Sequence, residues 1–182
     1  EAGLALARRD IDPRGQTPFA IIAMGKTGAR ELNYISDVDV IYVAQAGVDQ
    51  DERVALEVAT RLAAATASAC SGPGTEAPLW TVDANLRPEG RNGALVRTVG
   101  SYRQYWDKWA QTWEFQALLK ARACAGDEVI GRAFEDAAQP YVWSAATREG
   151  FVEAARDAPT GRGQHLALIR LARTQARPRR SA

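Results

Sequence analysis

The chain has 182 residues, 46% of them hydrophobic and 25% charged, and a net charge of +1. That is an ordinary make-up for a soluble globular chain long enough for one domain with a real core, or one domain plus an attached helical piece. No apolar run is long enough to cross a bilayer, the start lacks a charged-then-apolar secretion signal, and a membrane protein is not expected. The opening Glu1, with no Met, reads as a cut from a longer chain. The single histidine, His165, argues against a His-based zinc site and a Ser-His-Asp triad. Cys70 and Cys124 lie far apart and read as free, buried or half-buried side chains, which points to the cytoplasm. Residues 157–182 hold six Arg against one acidic residue, Asp157, so the rest of the chain is net acidic. A globally basic nucleic-acid binder is not indicated.

Residues 19–24 form a short apolar run ending at Gly25 and read as a buried strand. Residues 25–28 read as a turn, and 29–33 as a short helix. Residues 36–44 alternate and are rich in Val and Ile, which predicts a second strand. Residues 51–69 are Ala-rich, with Val54, Val58 and Leu62 at helical spacing. A third strand is predicted over 79–86. A turn at Asn92-Gly93 and a returning strand over 94–98 follow. Tyr102, Trp106, Trp109 and Trp113 fall on one helical face and read as core rather than a binding stripe. Further helices are predicted over 114–125 and 128–138. Pro140 breaks the pattern, and 141–156 reads as helix again.

Strands first and helices later predict an α+β fold, a small mixed sheet followed by a helical section. The expected organisation is a sheet core over 1–100, a helical section over 101–156 and an Arg-rich, disordered tail over 157–182.

The sharpest chemical feature is Ser36-Asp37-Val38-Asp39-Val40. Residues two apart on a strand share a face, so Asp37 and Asp39 project together, about 7 Å apart along the strand. Ile41 and Val43 continue that face into the core. An isolated D-x-D is usually a solvated strand end. Two carboxylates this close repel, however, and a hard divalent cation such as Mg²⁺ resolves the repulsion. Gly25 and Gly28 precede the pair and let backbone amides approach a phosphate, although a G-x-x-G alone is an ordinary strand-to-helix turn. Asp83, on the third strand, supplies a third carboxylate for a two-metal clamp. Arg87 and Arg91 follow, and Arg suits bidentate phosphate contacts. Phosphoryl or nucleotidyl transfer needs such metals and cations and no covalent nucleophile.

Residues 25–33, Gly-Lys-Thr-Gly-Ala-Arg-Glu-Leu-Asn, leading into Ser36-Asp37-Val38-Asp39, resemble the core of the glutamine synthetase adenylyltransferase/deadenylyltransferase family, within the polymerase-beta-like nucleotidyltransferase superfamily. Val82-Asp83 with Leu86-Arg87-Pro88 resembles its V-D-x-x-L-R-P segment. Trp113-Glu114, Ala117-Leu118 and Lys120-Ala121-Arg122 resemble its W-E-x-x-A-L-x-K-A-R segment. The likeness covers roughly residues 19–156.

The resemblance implies that Asp37, Asp39 and Asp83 are catalytic and hold Mg²⁺. It places Gly25, Lys26, Gly28 and Ser36 near nucleotide phosphates, with Arg87, Lys120 and Arg122 as further phosphate contacts. It implies glutamine synthetase as partner, ATP, ADP or phosphate as substrates, and the PII signalling protein as a partner through regions outside this chain. Residues 114–127 and 142–146 look more like the N-terminal domain, which removes AMP from a tyrosine by phosphorolysis, than the domain that adds it. Other readings are a nucleotidyltransferase of the same fold with another acceptor, and an inactive nucleotide-binding fragment. Thr27, Ala29 and Ala84-Asn85 depart from the family pattern without removing a carboxylate. The sequence beyond about Arg156 also departs, and reads as a shifted frame or a truncation.

Overall fold

A computed structural model describes residues 1–34, 36–71 and 80–147. At its centre is a five-stranded mixed sheet. Strand β1 (Phe19–Ala23) is buried along its whole length, as its unbroken apolar run requires. It pairs antiparallel with β2 (Val38–Ala44), from Phe19↔Ala44 to Ala23↔Val40. On its other side it pairs antiparallel with β5 (Arg122–Gly126). The free edge of β2 carries two short strands in succession, β3 (Val82–Asp83) and β4 (Val96–Arg97), both parallel to it.

Helices cover both faces. On one side, α1 (Ala2–Ile11) and α3 (Glu52–Ser71) pack against Phe19, Ile21, Val40, Tyr42 and Ala44. On the other, α4 (Val99–Lys108), α5 (Thr112–Leu118) and α6 (Glu128–Ala146) enclose Ala20, Ile22, Met24, Ile41 and Val43. The period-2 alternation of β2 therefore sends odd and even residues into two separate cores. Tyr102, Trp106 and Phe134 meet edge-on and tilted at 5.0–5.6 Å in the second of these. The α+β reading holds, a small mixed sheet of nucleotidyltransferase type with helices on it.

Several local expectations are corrected. The stretch 25–28, read as a turn, is itself the one-turn helix α2 (Gly25–Ala29), closed by Arg30 at φ 62°. The helix predicted over 114–125 stops at Leu118, and its second half is the edge strand β5. The sheet thus draws a strand from the section expected to be helical. Pairing with β1 supplies the backbone partners there, and such tertiary pairing outweighs local propensity. The third strand is reduced to two residues, with 72–79 outside the described residues. The Asn92-Gly93 turn does not build a hairpin. The left-handed positions are Glu89 and Gly90, a 3₁₀ turn spans Gly90–Asn92, and β4 runs the same way as β3.

The aromatic stripe also divides. Tyr102 and Trp106 are core, but α4 ends before Trp109, which is 67% exposed. The helix restarts at Thr112 under a capping box formed by Gln111 and Glu114, so Trp113 belongs to a different axis. Pro140 does not end its helix, because α6 runs through it with Ala137, Ala138, Val142 and Ala145 buried on either side. In α3 the core face is Ala55, Ala59, Leu62 and Ala63, whereas Val54 is 39% exposed. Alanines let α3 approach α1, a helix that hydrophobic spacing did not announce. Both cysteines are free, as expected, but lie in exposed positions rather than buried ones. The predicted helix beyond residue 147, the Arg-rich tail and His165 fall outside the described residues.

Candidate active site

Asp39 opens the face of β2 that continues through Ile41 and Val43 into the α4–α6 core. Its register partner across the parallel ladder is Asp83. Adjacent strands lie about 5 Å apart and register partners share a face, so two carboxylates stand side by side at the end of the sheet. Asp83 Oδ1 also accepts the Asn85 amide at 2.7 Å, which turns the chain sharply out of β3. Asp37 sits just before the first residue of β2 and is half-buried. Among the described residues no three His, Cys, Asp or Glu side chains are gathered into a metal-holding group. The parallel register sets Asp39 opposite Asp83, with Asp37 two residues before Asp39 at the same end of β2.

The glycine segment arrives at the same point. Met24 donates its amide to the Asp39 carbonyl at 2.9 Å, and Gly25 follows at φ 50°. A Cβ on Gly25 would stand 3.3 Å from Asp39 Oδ2, so this backbone passes directly over the carboxylate. The left-handed φ is one that residues with a Cβ avoid. Gly28 has a different reason to be glycine. It is buried, and a Cβ there would collide with the Lys120 carbonyl oxygen, so α2 rests on the turn before β5. Lys26 is exposed on α2, and Ser36 Oγ donates to Asn33 Oδ1 at 2.5 Å.

The basic residues divide by role. Arg87 donates Nη1 to the Ala84 carbonyl at 2.8 Å and Nε to Gly93 at 3.3 Å, closing the loop after Asp83. Burial draws its guanidinium below the usual Arg range, and nearby Tyr102 and Asp83 oppose that shift. Lys120 and Arg122 are not helical. Lys120 lies in the turn, its Nζ 2.8 Å from Glu31 Oε2, and Arg122 opens β5. Arg122 donates Nε to the Gly28 carbonyl at 3.1 Å and Nη2 to Thr27 at 3.5 Å.

Sequence reasoning missed Arg97 and the partners of Glu114. Arg97 binds Glu89 Oε2 at 2.6 Å and Ser101 Oγ at 3.3 Å, while its buried Nε has no hydrogen-bond partner. A single Arg between Val96 and Thr98 carries no motif that would announce it. Glu114 Oε1 accepts the Tyr105 hydroxyl and the Gln111 amide, each at 3.1 Å. Burial raises its carboxyl above the ordinary range, with those two hydrogen bonds opposing. An acidic residue three positions into a helix was the available signal.

A mixed sheet carrying a carboxylate pair beside a glycine-led helical turn defines the nucleotidyltransferase class. The profile of glutamate-ammonia ligase adenylyltransferases matches residues 5–137. The chain is 53% identical over 167 residues to the "Bifunctional glutamine synthetase adenylyltransferase/adenylyl-removing enzyme" of Leifsonia xyli, covering 84% of this chain and 16% of that one. Proteins of the same description from Streptomyces coelicolor and Mycobacterium marinum are 54% and 50% identical, each over 83% of this chain and over 16% and 14% of their own. The chain belongs to the glutamate-ammonia ligase adenylyltransferase family. It spans about a sixth of the length of the relatives it matches.

Proposed function

We propose that this chain carries the catalytic centre of a Mg²⁺-dependent nucleotidyltransferase acting on a tyrosine of glutamine synthetase. Within that reading, it removes AMP by phosphorolysis rather than adding it. The observation that carries the proposal is the Asp39↔Asp83 register pair with the Gly25 backbone laid against it, in a chain of this family. Like charges on neighbouring strands are unfavourable, and a divalent cation offsets the repulsion.

The donor set fits Mg²⁺, a hard cation held by one or two carboxylates together with substrate phosphates and water rather than by an all-protein cage. A ready-made three-carboxylate group is therefore not required. Asp39 and Asp83 would hold the ion, with Asp37 joining from the residue before β2. Bound there, the ion would neutralise charge on the transferring phosphate and lower the barrier to in-line attack. Gly25, Lys26 and Ser36 lie on the segments that lead to the carboxylates and would face the phosphates, whereas Gly28, buried against the Lys120 backbone, shapes the turn that carries them. Arg87 serves more naturally to hold the Asp83 loop, given its carbonyl partners.

The direction of transfer rests on the likeness of residues 114–127 and 142–146 to AMP-removing domains. The test mixes the chain with AMP-modified glutamine synthetase, Mg²⁺ and phosphate and measures ADP, with Asp39→Asn alongside. ADP from the unaltered chain alone, lost on chelation, is the expected result. Equal ADP from both chains would overturn the site. Consumption of ATP with unmodified glutamine synthetase, and no ADP release in the first assay, would reverse the direction.

A further inference from the structure

We infer that Arg122 is a positioning residue that holds the glycine turn against the carboxylate strand. This rests on the nucleotidyl-transfer reading above and assigns Arg122 something other than the phosphate contact its motif implied.

Helix α2 has one turn and cannot hold itself in place, since so short a helix lies below the length at which helices are stable alone. It is fixed from outside at both ends. At its start, Met24 is hydrogen-bonded to Asp39 and Gly25 passes over the Asp39 carboxylate. At its end, the carbonyls of Thr27 and Gly28 point at the Arg122 guanidinium, which reaches them from β5. A cation placed on the last carbonyls of a helix is favourable, and the planar fork of Arg serves two acceptors at once. Gly28 lies so close to the Lys120 backbone that any Cβ would be excluded. The Lys120–Glu31 ion pair closes the outer side, but its side chains are 51% and 61% exposed, so it contributes little. Arg122 is the half-buried member of this contact and ties the turn to the sheet. Through β1, which pairs with both β5 and β2, that tie sets where Gly25 stands relative to Asp39.

The test compares Arg122→Ala and Arg122→Lys with the unaltered full chain. Amide exchange is read at Gly28 and Glu31, whose amides bond Met24 and Lys26, and at Val43 in the β1–β2 ladder. Arg122→Ala speeds exchange at Gly28 and Glu31 by about tenfold or more and leaves Val43 unchanged, as expected of local rather than global opening. It raises the KM for phosphate about tenfold, with kcat within about threefold, the scale seen when a supporting residue is lost. Arg122→Lys, with one point donor, gives an intermediate value in both. It also reads the same contact if the Ala variant fails to fold.

Unchanged exchange at Gly28, or equal acceleration at Val43, would overturn the inference. So would loosened α2 with an unaltered KM. If the unaltered chain turns nothing over, the functional reading fails on that result, and the exchange pattern alone decides the clamp.

Discussion

Glu114 shows what a single buried carboxylate does in this fold. It accepts the Tyr105 hydroxyl and caps α5, yet burial raises its pKa. A carboxyl raised in the folded state contributes most below its unfolded pKa, and that contribution is lost as pH rises through the folded value. Glu114→Gln keeps an oxygen for both donors and removes the charge. It is expected to stabilise the chain near neutral pH, with the gain shrinking as pH falls through the carboxylate range. Urea unfolding of both chains at pH 4 and 7 measures this. A gain equal at the two values would mean that the ionised form is not the penalised one. The same scale explains what could be read of the site in advance. Asp39 and Asp83 were legible because their strands were, and Gly25 because a glycine after a buried strand marks a turn. The second role of glycine, at Gly28, was not legible, since the backbone it meets lies far along the chain at Lys120.

At the scale of elements, the errors share one cause. Residues 122–126 and Pro140 carry local signals that tertiary contacts override. Arg-Ala-Cys-Ala-Gly is no strong strand former, but β1 offers it an open edge. Pro140 removes an amide from α6, yet the helix continues because its inward residues on both sides are buried. Pro140 itself is exposed, so Pro140→Ala restores a backbone donor without disturbing the core. It is expected to stabilise the chain by about 1–3 kcal/mol, read from the urea midpoint at constant m-value. A loss of stability would show that the ring makes a contact worth more than the hydrogen bond. The broken aromatic stripe follows the same logic. One helical period ran through Tyr102 to Trp113, but Glu114 and Gln111 begin a new helix, and Trp109 is left outside.

At the scale of the whole molecule, the sheet separates two cores, and only the α4–α6 side backs the face that Asp39 opens. Phe134 is fully buried where Tyr102 and Trp106 meet, so that core is its load. Phe134→Ala is expected to cost about 3–5 kcal/mol. Thermal unfolding with near-UV circular dichroism would show the loss together with a changed Trp environment. A cost below about 1 kcal/mol would mean that the cavity refills and that the core is loosely specified.

The sequence by itself determined the α+β class, the two central strands and the family likeness, and it marked the candidate carboxylates. Each is written in contiguous residues, as an apolar run, a period of two or a spaced motif. Which carboxylates stand together was decided only by the tertiary structure, because the parallel register of Asp39 with Asp83 depends on α3 carrying the chain back across the sheet. The same holds for β5 and for Arg122. Their partners, β1 and α2, lie about a hundred positions earlier, and no local pattern encodes a contact whose other half is that far away.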